Sequence, residues 1–126
     1  MKEVWIVDDD EEMGQAISLM LKLLDCNPKH FPNPRPAAQA LLAGGHPDLM
    51  ILDINMPEVN GLDMLEFIRR RNEWKNLPVI MLSSEAADVM VEKALQMSAD
   101  SYARKPVTIE ELEKAMSQAF YKHIMK

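Results

Sequence analysis

The sequence predicts an alternating α/β domain of the (βα)5 type, on three observations. Short uninterrupted apolar runs recur along the chain, amphipathic helical patterns fall between them, and acidic or hydroxyl residues stand where the runs end. Each strand-helix unit takes roughly 25 residues. At 126 residues the chain is long enough for one domain with a single core and too short for two, so residues 1–126 read as one domain.

The first strand is Val4 to Val7, stopped by three aspartates. Asp10 caps the helix that follows, with Glu11 and Glu12 in its first turn, where the helix dipole favours anions. Met13, Ala16, Ile17, Met20, Leu21 and Leu24 fall on one face of that helix. Pro28, Pro32, Pro34 and Pro36 crowd the next segment and hold four of the eight prolines. Proline cannot donate to a central ladder, so a second strand here is expected to be short and at a sheet edge. Pro36 suits the first turn of a helix running through Ala37 to Leu42.

Leu49 to Leu52 is apolar throughout, as in a strand covered on both faces. Leu62, Leu65 and Ile68 mark a third helix, and Val79 to Leu82 a fourth strand. Met90, Val91, Ala94 and Met97 follow at helical spacing, then Ser101 to Ala103 as a short last strand. Thr108 and Glu111 form a capping-box pattern ahead of Ile109, Leu112, Ala115, Met116 and Ala119.

Bulk composition narrows the function. Apolar residues make up 48% and charged residues 27%, an ordinary globular balance. The net charge of −6 argues against a nucleic-acid surface, which needs clustered cations. The basic run Arg69 to Arg71 reads as a helix C-terminus. Cys26 is the single cysteine, so it has no internal disulfide partner; it reads as a small hydrophobe in a reducing compartment. His30, His46 and His123 have no Cys or carboxylate at metal-ligand spacing. No signal peptide and no membrane span is read, and a soluble cytoplasmic protein is expected.

The chemistry collects at strand ends. Asp8 and Asp9 end the first strand, Asp53 the third and Ser83 the fourth, and Lys105 follows the fifth. In a parallel sheet these ends share one edge, where open α/β folds bind ligands. Unit charges ~4 Å apart interact by about 4 kcal/mol at an effective dielectric near 20, so three carboxylates there need neutralising. A hard divalent cation with oxygen ligands does that, and magnesium takes one or two carboxylates plus phosphate oxygens. Lys105 can hold a phosphoryl oxygen and the Ser83 hydroxyl can donate to another. Taken singly, each residue has a plainer reading. Asp9 or Ser83 could cap a helix, Asp53 could open a turn, and Lys105 could be a solvated loop lysine. Their conjunction at matching strand ends favours the site.

Val-Asp-Asp at 7 to 9, Leu-Asp-Ile-Asn-Met-Pro at 52 to 57 with Asn60-Gly61, Ser83 after Val-Ile-Met-Leu, and Lys105-Pro106 stand in one order and spacing. In these residues the chain resembles the receiver domain of two-component response regulators over essentially its full length. The resemblance implies a flavodoxin-like three-layer sandwich with strand order 2-1-3-4-5, which leaves the proline-rich strand at an edge. It implies Asp53 as phosphoacceptor, charged from a phosphohistidine on a sensor histidine kinase or phosphotransfer protein. It implies magnesium ligation by Asp9, Asp53 and the Asn55 carbonyl, with Asp8 acting mainly through water. Lys105 would contact the phosphoryl group and precede a cis proline bond. Ser83 and Tyr102 would be the switch pair, reporting to the face formed by the fourth helix, fifth strand and fifth helix. That face would meet an output domain, a target protein or a second copy of the chain. Asn55 and Glu85, two residues after the acceptor and after the hydroxyl residue, resemble the pair of the fast-resetting chemotaxis regulator and imply rapid self-dephosphorylation.

Two positions depart from the family pattern. Ser98 stands where glycine usually ends the fourth helix, so a left-handed backbone there would be strained. Val107 stands where an aromatic is frequent. A true enzyme is the main rival, namely a magnesium-dependent aspartyl phosphatase or phosphotransferase. Such phosphatases need a second Asp two residues after the nucleophile, where this chain has Asn55, and a cap domain. A flavin carrier would need a Ser/Thr- and Gly-rich loop in place of Asp8-Asp9-Asp10, and a histidine phosphotransfer bundle would lack the strands. A phosphorylation-independent interaction domain is the third alternative. The expected role is therefore a signalling switch and not an enzyme. A start at Met1 without lead-in disfavours the receiver of a hybrid kinase.

Overall fold

A computed structural model of the chain describes residues 1–56, 60–84 and 88–124. Five parallel strands are ordered β2-β1-β3-β4-β5. They are β1 (Lys2–Val7), β2 (Cys26–Phe31), β3 (Leu49–Asp53), β4 (Val79–Ser83) and β5 (Ser101–Arg104). Between and after them run α1 (Glu11–Leu23), α2 (Pro34–Leu42), α3 (Gly61–Arg70), α4 (Asp88–Gln96) and α5 (Ile109–Ile124).

Strand alternation splits the core into two layers. Val4, Ile6, Leu49, Ile51, Ile80 and Leu82 pack against Ile17 and Leu21 of α1 and Leu112, Ala115 and Ala119 of α5. Trp5, Val7, Met50, Leu52, Val79 and Met81 face the other way, against Ala37 and Leu41 of α2, Leu65 and Ile68 of α3, and Ala94 of α4. β3 and β4 are buried at every residue, as their continuous apolar runs require. A three-layer α/β/α sandwich results.

The second strand differs from expectation. It lies at the edge but is six residues long, equal to β1, and runs through Pro28. Phe31 turns its carbonyl to β1, accepting from Asp8 N at 3.1 Å. Backbone groups alternate sides along a strand, so Pro28 turns its nitrogen to the open edge and the ladder loses no donor. α2 starts earlier than Ala37: Asn33 caps it through Arg35 N at 2.9 Å, and Pro34 opens the first turn. On α1, Ala16 is exposed and buried Gly14 takes the inner face instead. The Asp10 cap forms with Met13 N at 3.2 Å. Of the expected Thr108–Glu111 box the Thr108 half forms, Glu111 N donating to the hydroxyl at 3.2 Å, while the Glu111 carboxylate accepts from that hydroxyl at 3.0 Å instead of from the Thr108 backbone.

At the end of the sheet where β4 and β5 begin, the expected helix-end reading of Arg69 to Arg71 gains a partner. Arg69 Nη2 pairs with buried Asp100 at 2.9 Å, while its other nitrogens donate to the carbonyls of Ser98, Trp74 and Leu77. His123 Nε2 meets the second Asp100 oxygen at 3.0 Å. One carboxylate thus ties the ends of α3 and α5 to the sheet. It also accepts from Val79 N at 2.8 Å.

Candidate functional site

The carboxyl ends of β1, β3, β4 and β5 bring Asp8, Asp9, Asp53, Ser83 and Lys105 to one edge of the sheet. Asp8 follows the last β1 residue and is fully buried, while Asp9 beside it is exposed. The Asp8 side chain accepts from Asp10 N at 3.0 Å, closing a turn that leads into the α1 cap. Asp53 ends β3 with 3% exposure. Beyond it the ladder continues for one residue, Ile54 N donating to Leu82 O at 3.0 Å. Gly61 N then returns to Ile54 O at 2.9 Å, and a Cβ at Gly61 would collide with the Asp53 carbonyl. The Asn60-Gly61 pair thereby caps α3 and seats it against the Asp53 backbone.

Lys105 reaches the pocket from the end of β5, its own N–H donating to Ser83 O at 2.7 Å and its bond to Pro106 being cis. The Lys105 ammonium lies 3.0 Å from Asp8 Oδ2 and 3.1 Å from Asp53 Oδ2. The Asp8 contact is a charge pair without hydrogen-bond geometry, since Asp8 Oδ2 has no hydrogen-bond partner among the described residues. Ser83 Oγ is likewise buried with no partner there, so it caps no helix among them.

Electrostatics follow from burial and charge. Asp53 is raised to about 7, first by burial and then by the Asp8 carboxylate, with Lys105 opposing. Burial alone would lower the Lys105 pKa, but the close carboxylates of Asp8 and Asp53 outweigh it and raise the net value. One lysine does not balance three acids. Oxygens of Asp8, Asp9 and Asp53 lie within 4.8 Å of one another. This donor set fits a hard divalent cation: oxygen-only, over-charged, and open on the Asp9 side. The orphaned Ser83 hydroxyl supplies a donor for one further oxygen of a bound anion.

Asn55 is exposed beside the pocket, its N–H 3.3 Å from Asp53 Oδ1 and its amide 3.5 Å from Ser84 Oγ. Tyr102 sits two strand residues before Arg104 and is 45% exposed, outside the pocket. Pro57 and Glu85 lie outside the described residues. Ser98 does adopt a left-handed backbone, with φ +75°. Val107 is buried among the α1 and α5 contacts, filling its place in the core without an aromatic ring. One contact the sequence did not flag touches the site: His30 Nε2 lies 2.7 Å from the Asp8 carbonyl.

A parallel 2-1-3-4-5 sheet with an acidic pocket and a lysine at its carboxyl edge defines a phosphoacceptor class of α/β domain. The family model of the response regulator receiver domain matches residues 4–117, and the chain belongs to that family. It is a receiver domain of two-component phosphorelay signalling, a class of signal transducer in which an aspartate is phosphorylated and an acidic pocket binds magnesium. The chemotaxis protein CheY-3 of Vibrio cholerae is 31% identical over 118 residues, covering 94% of this chain and 91% of that one. The solved structure of Vibrio cholerae chemotaxis protein CheY4 superposes with TM-score 0.84 at 26% identity, covering 94% and 98% of the two chains. A response regulator receiver domain protein from Clostridium thermocellum reaches TM-score 0.89 at 22% identity, covering 99% and 98%, a likeness of fold. Among the described residues no helix is long and apolar enough to cross a membrane.

Proposed function

We propose that Asp53 is the phosphoacceptor of this domain and that Asp8, Asp9, Asp53 and the Asn55 carbonyl form its magnesium site. The observation that carries this is the position of the Asp53 carboxylate. It is buried at the end of a central strand, beside both Lys105 and the Asp8–Asp9 pair. A carboxylate oxygen of Asp53 attacks the phosphorus of a phosphohistidine on a sensor histidine kinase or phosphotransfer protein. The new O–P bond forms as the N–P bond breaks, and the electron pair stays on the partner's imidazole nitrogen. Lys105 holds one phosphoryl oxygen as an ammonium point charge and Ser83 donates to a second. Magnesium held by these residues would offset the charge of the carboxylates and of the incoming phosphoryl oxygens.

Filling the Ser83 donor is the local event, and Tyr102 turning inward is its readout on the α4-β5-α5 face. That face would then engage an output domain, a target protein or a second copy of the chain. No nucleic acid or membrane is contacted by this domain in our reading. Its place is the cytoplasm, in keeping with the lone thiol of Cys26. Asn55 and Glu85 would admit water to the phosphoryl group, so the domain is expected to hydrolyse its own aspartyl phosphate after accepting it. Intact-mass measurement after acetyl phosphate and magnesium should show one added phosphoryl group, and none in Asp53→Asn. Undiminished labelling of that variant would remove the assignment.

A further inference from the structure

We propose that His30 is a positioning residue for the acidic pocket, holding Asp8 in place from the edge strand; this rests on the magnesium and phosphoryl reading above. His30 Nε2 lies 2.7 Å from the Asp8 carbonyl oxygen. A carbonyl only accepts, so Nε2 carries the hydrogen. The Asp8 N–H in turn donates to Phe31 O at 3.1 Å. Both backbone polar groups of Asp8 are therefore held by β2, one by main chain and one by a side chain.

The side chain is needed because the ladder stops there. β1 and β2 pair as far as Val7 with Phe31. The chain then turns through Pro32, which has no N–H, to Asn33, which caps α2. An imidazole takes the place of the next ladder donor. Its seat is built into α1: a Cβ at buried Gly14 would collide with the His30 ring. Glycine is unfavourable inside a helix, and here it gives the ring room against bare backbone.

Pinning the carbonyl fixes where the rest of Asp8 goes. Its Oδ1 closes the turn onto Asp10 N and its Oδ2 faces Lys105, while the next residue is Asp9. Groups that orient metal ligands from outside typically change metal affinity about 10–100-fold when removed. His30 acts through one peptide, which places it at the lower end of that range.

The test compares the parent with His30→Leu, which lacks the donor, and His30→Gln, whose amide nitrogen is the same number of bonds from the backbone. Calorimetric magnesium titration, acetyl phosphate labelling rate and melting temperature in EDTA are measured for each. His30→Leu should bind magnesium about tenfold more weakly, and His30→Gln should recover most of the loss. Parent-like affinity in His30→Leu overturns the proposal, and so does an equal loss in both variants, which would reflect ring packing alone. A parent that takes neither magnesium nor label overturns the pocket reading and this one together. Nitrogen-resolved spectra of the parent give a reading independent of variant folding. A hydrogen on Nε2 that exchanges slowly supports the contact, and a bare Nε2 overturns it.

Discussion

Lys105 Nζ stands 3.1 Å from Asp53 Oδ2 and 3.0 Å from Asp8 Oδ2, so one ammonium serves two buried carboxylates. Without metal this lysine is the main offset to their repulsion. Lys105→Met should therefore lower the stability of the metal-free protein by about 1–3 kcal/mol, the range for leaving buried polar groups unsatisfied. The same variant should gain more from magnesium than the parent does, because the metal then replaces the missing charge. Urea denaturation with EDTA and with magnesium measures both. A variant as stable as the parent in EDTA would mean that the pair is not worth its desolvation.

Asp53 gives the domain a pH dependence of known sign. Its folded-state value is raised from 3.8 to about 7, so the folded state binds this proton more tightly than the unfolded chain. Stability from this group is whole below about pH 4 and is lost as pH rises toward 7. A shift of this size corresponds to a few kcal/mol, on the order of 1.4 kcal/mol per unit. In EDTA, the stability of the parent relative to Asp53→Asn should fall across that window. Magnesium favours the ionised carboxylate and should flatten the fall. Parallel curves for parent and variant in EDTA would contradict the raised value.

The site could be read from sequence because its acids stand at or just past the ends of apolar strands, and a parallel sheet puts all such ends on one edge. Lys105 and Ser83 follow the same rule. His30 could not be read that way, since a side chain bonded to a distant carbonyl leaves no spacing to recognise. The Arg69–Asp100–His123 cluster is equally silent: the fold joins residues 31 and 23 positions apart at the other end of the sheet. In the fold, the second strand is where expectation and structure differ. Four crowded prolines predict a short strand, but Pro28 falls where its missing N–H faces the open edge, so β2 keeps its full six residues.

Ser98 is where local sequence and backbone disagree. Its N–H donates to Leu95 O at 3.1 Å and Ala99 N donates to Ala94 O at 3.0 Å, the two bonds of a Schellman cap. That cap needs a left-handed residue, and Ser98 supplies it at φ +75°. The conformation costs an L-residue about 1–2 kcal/mol, against the roughly 0.5–1 kcal/mol of extra chain entropy a glycine loses. Ser98→Gly should therefore stabilise the domain by up to about 1 kcal/mol, read from urea midpoints at unchanged slope. A destabilised variant would show that the serine side chain contributes more than its strain costs.

Magnesium should couple directly to folding through Asp53. In the unfolded chain Asp53 is separated from Asp8 and Asp9, whereas in the folded pocket their oxygens lie within 4.8 Å of one another. A metal that binds only the folded form adds RT ln(1 + [L]/Kd), about 1.4 kcal/mol at ~10 times its dissociation constant. For a domain of this size that is a rise in melting temperature of roughly 3–7 °C. Asp53→Ala removes one repelling charge and leaves Lys105 paired with Asp8, so in EDTA it should be at least as stable as the parent. Lacking a central ligand, it should gain much less from magnesium. Thermal melts of both proteins in EDTA and then in magnesium separate the two effects. Equal magnesium shifts would place the metal away from Asp53, and the donor set would have to be sought among other oxygens.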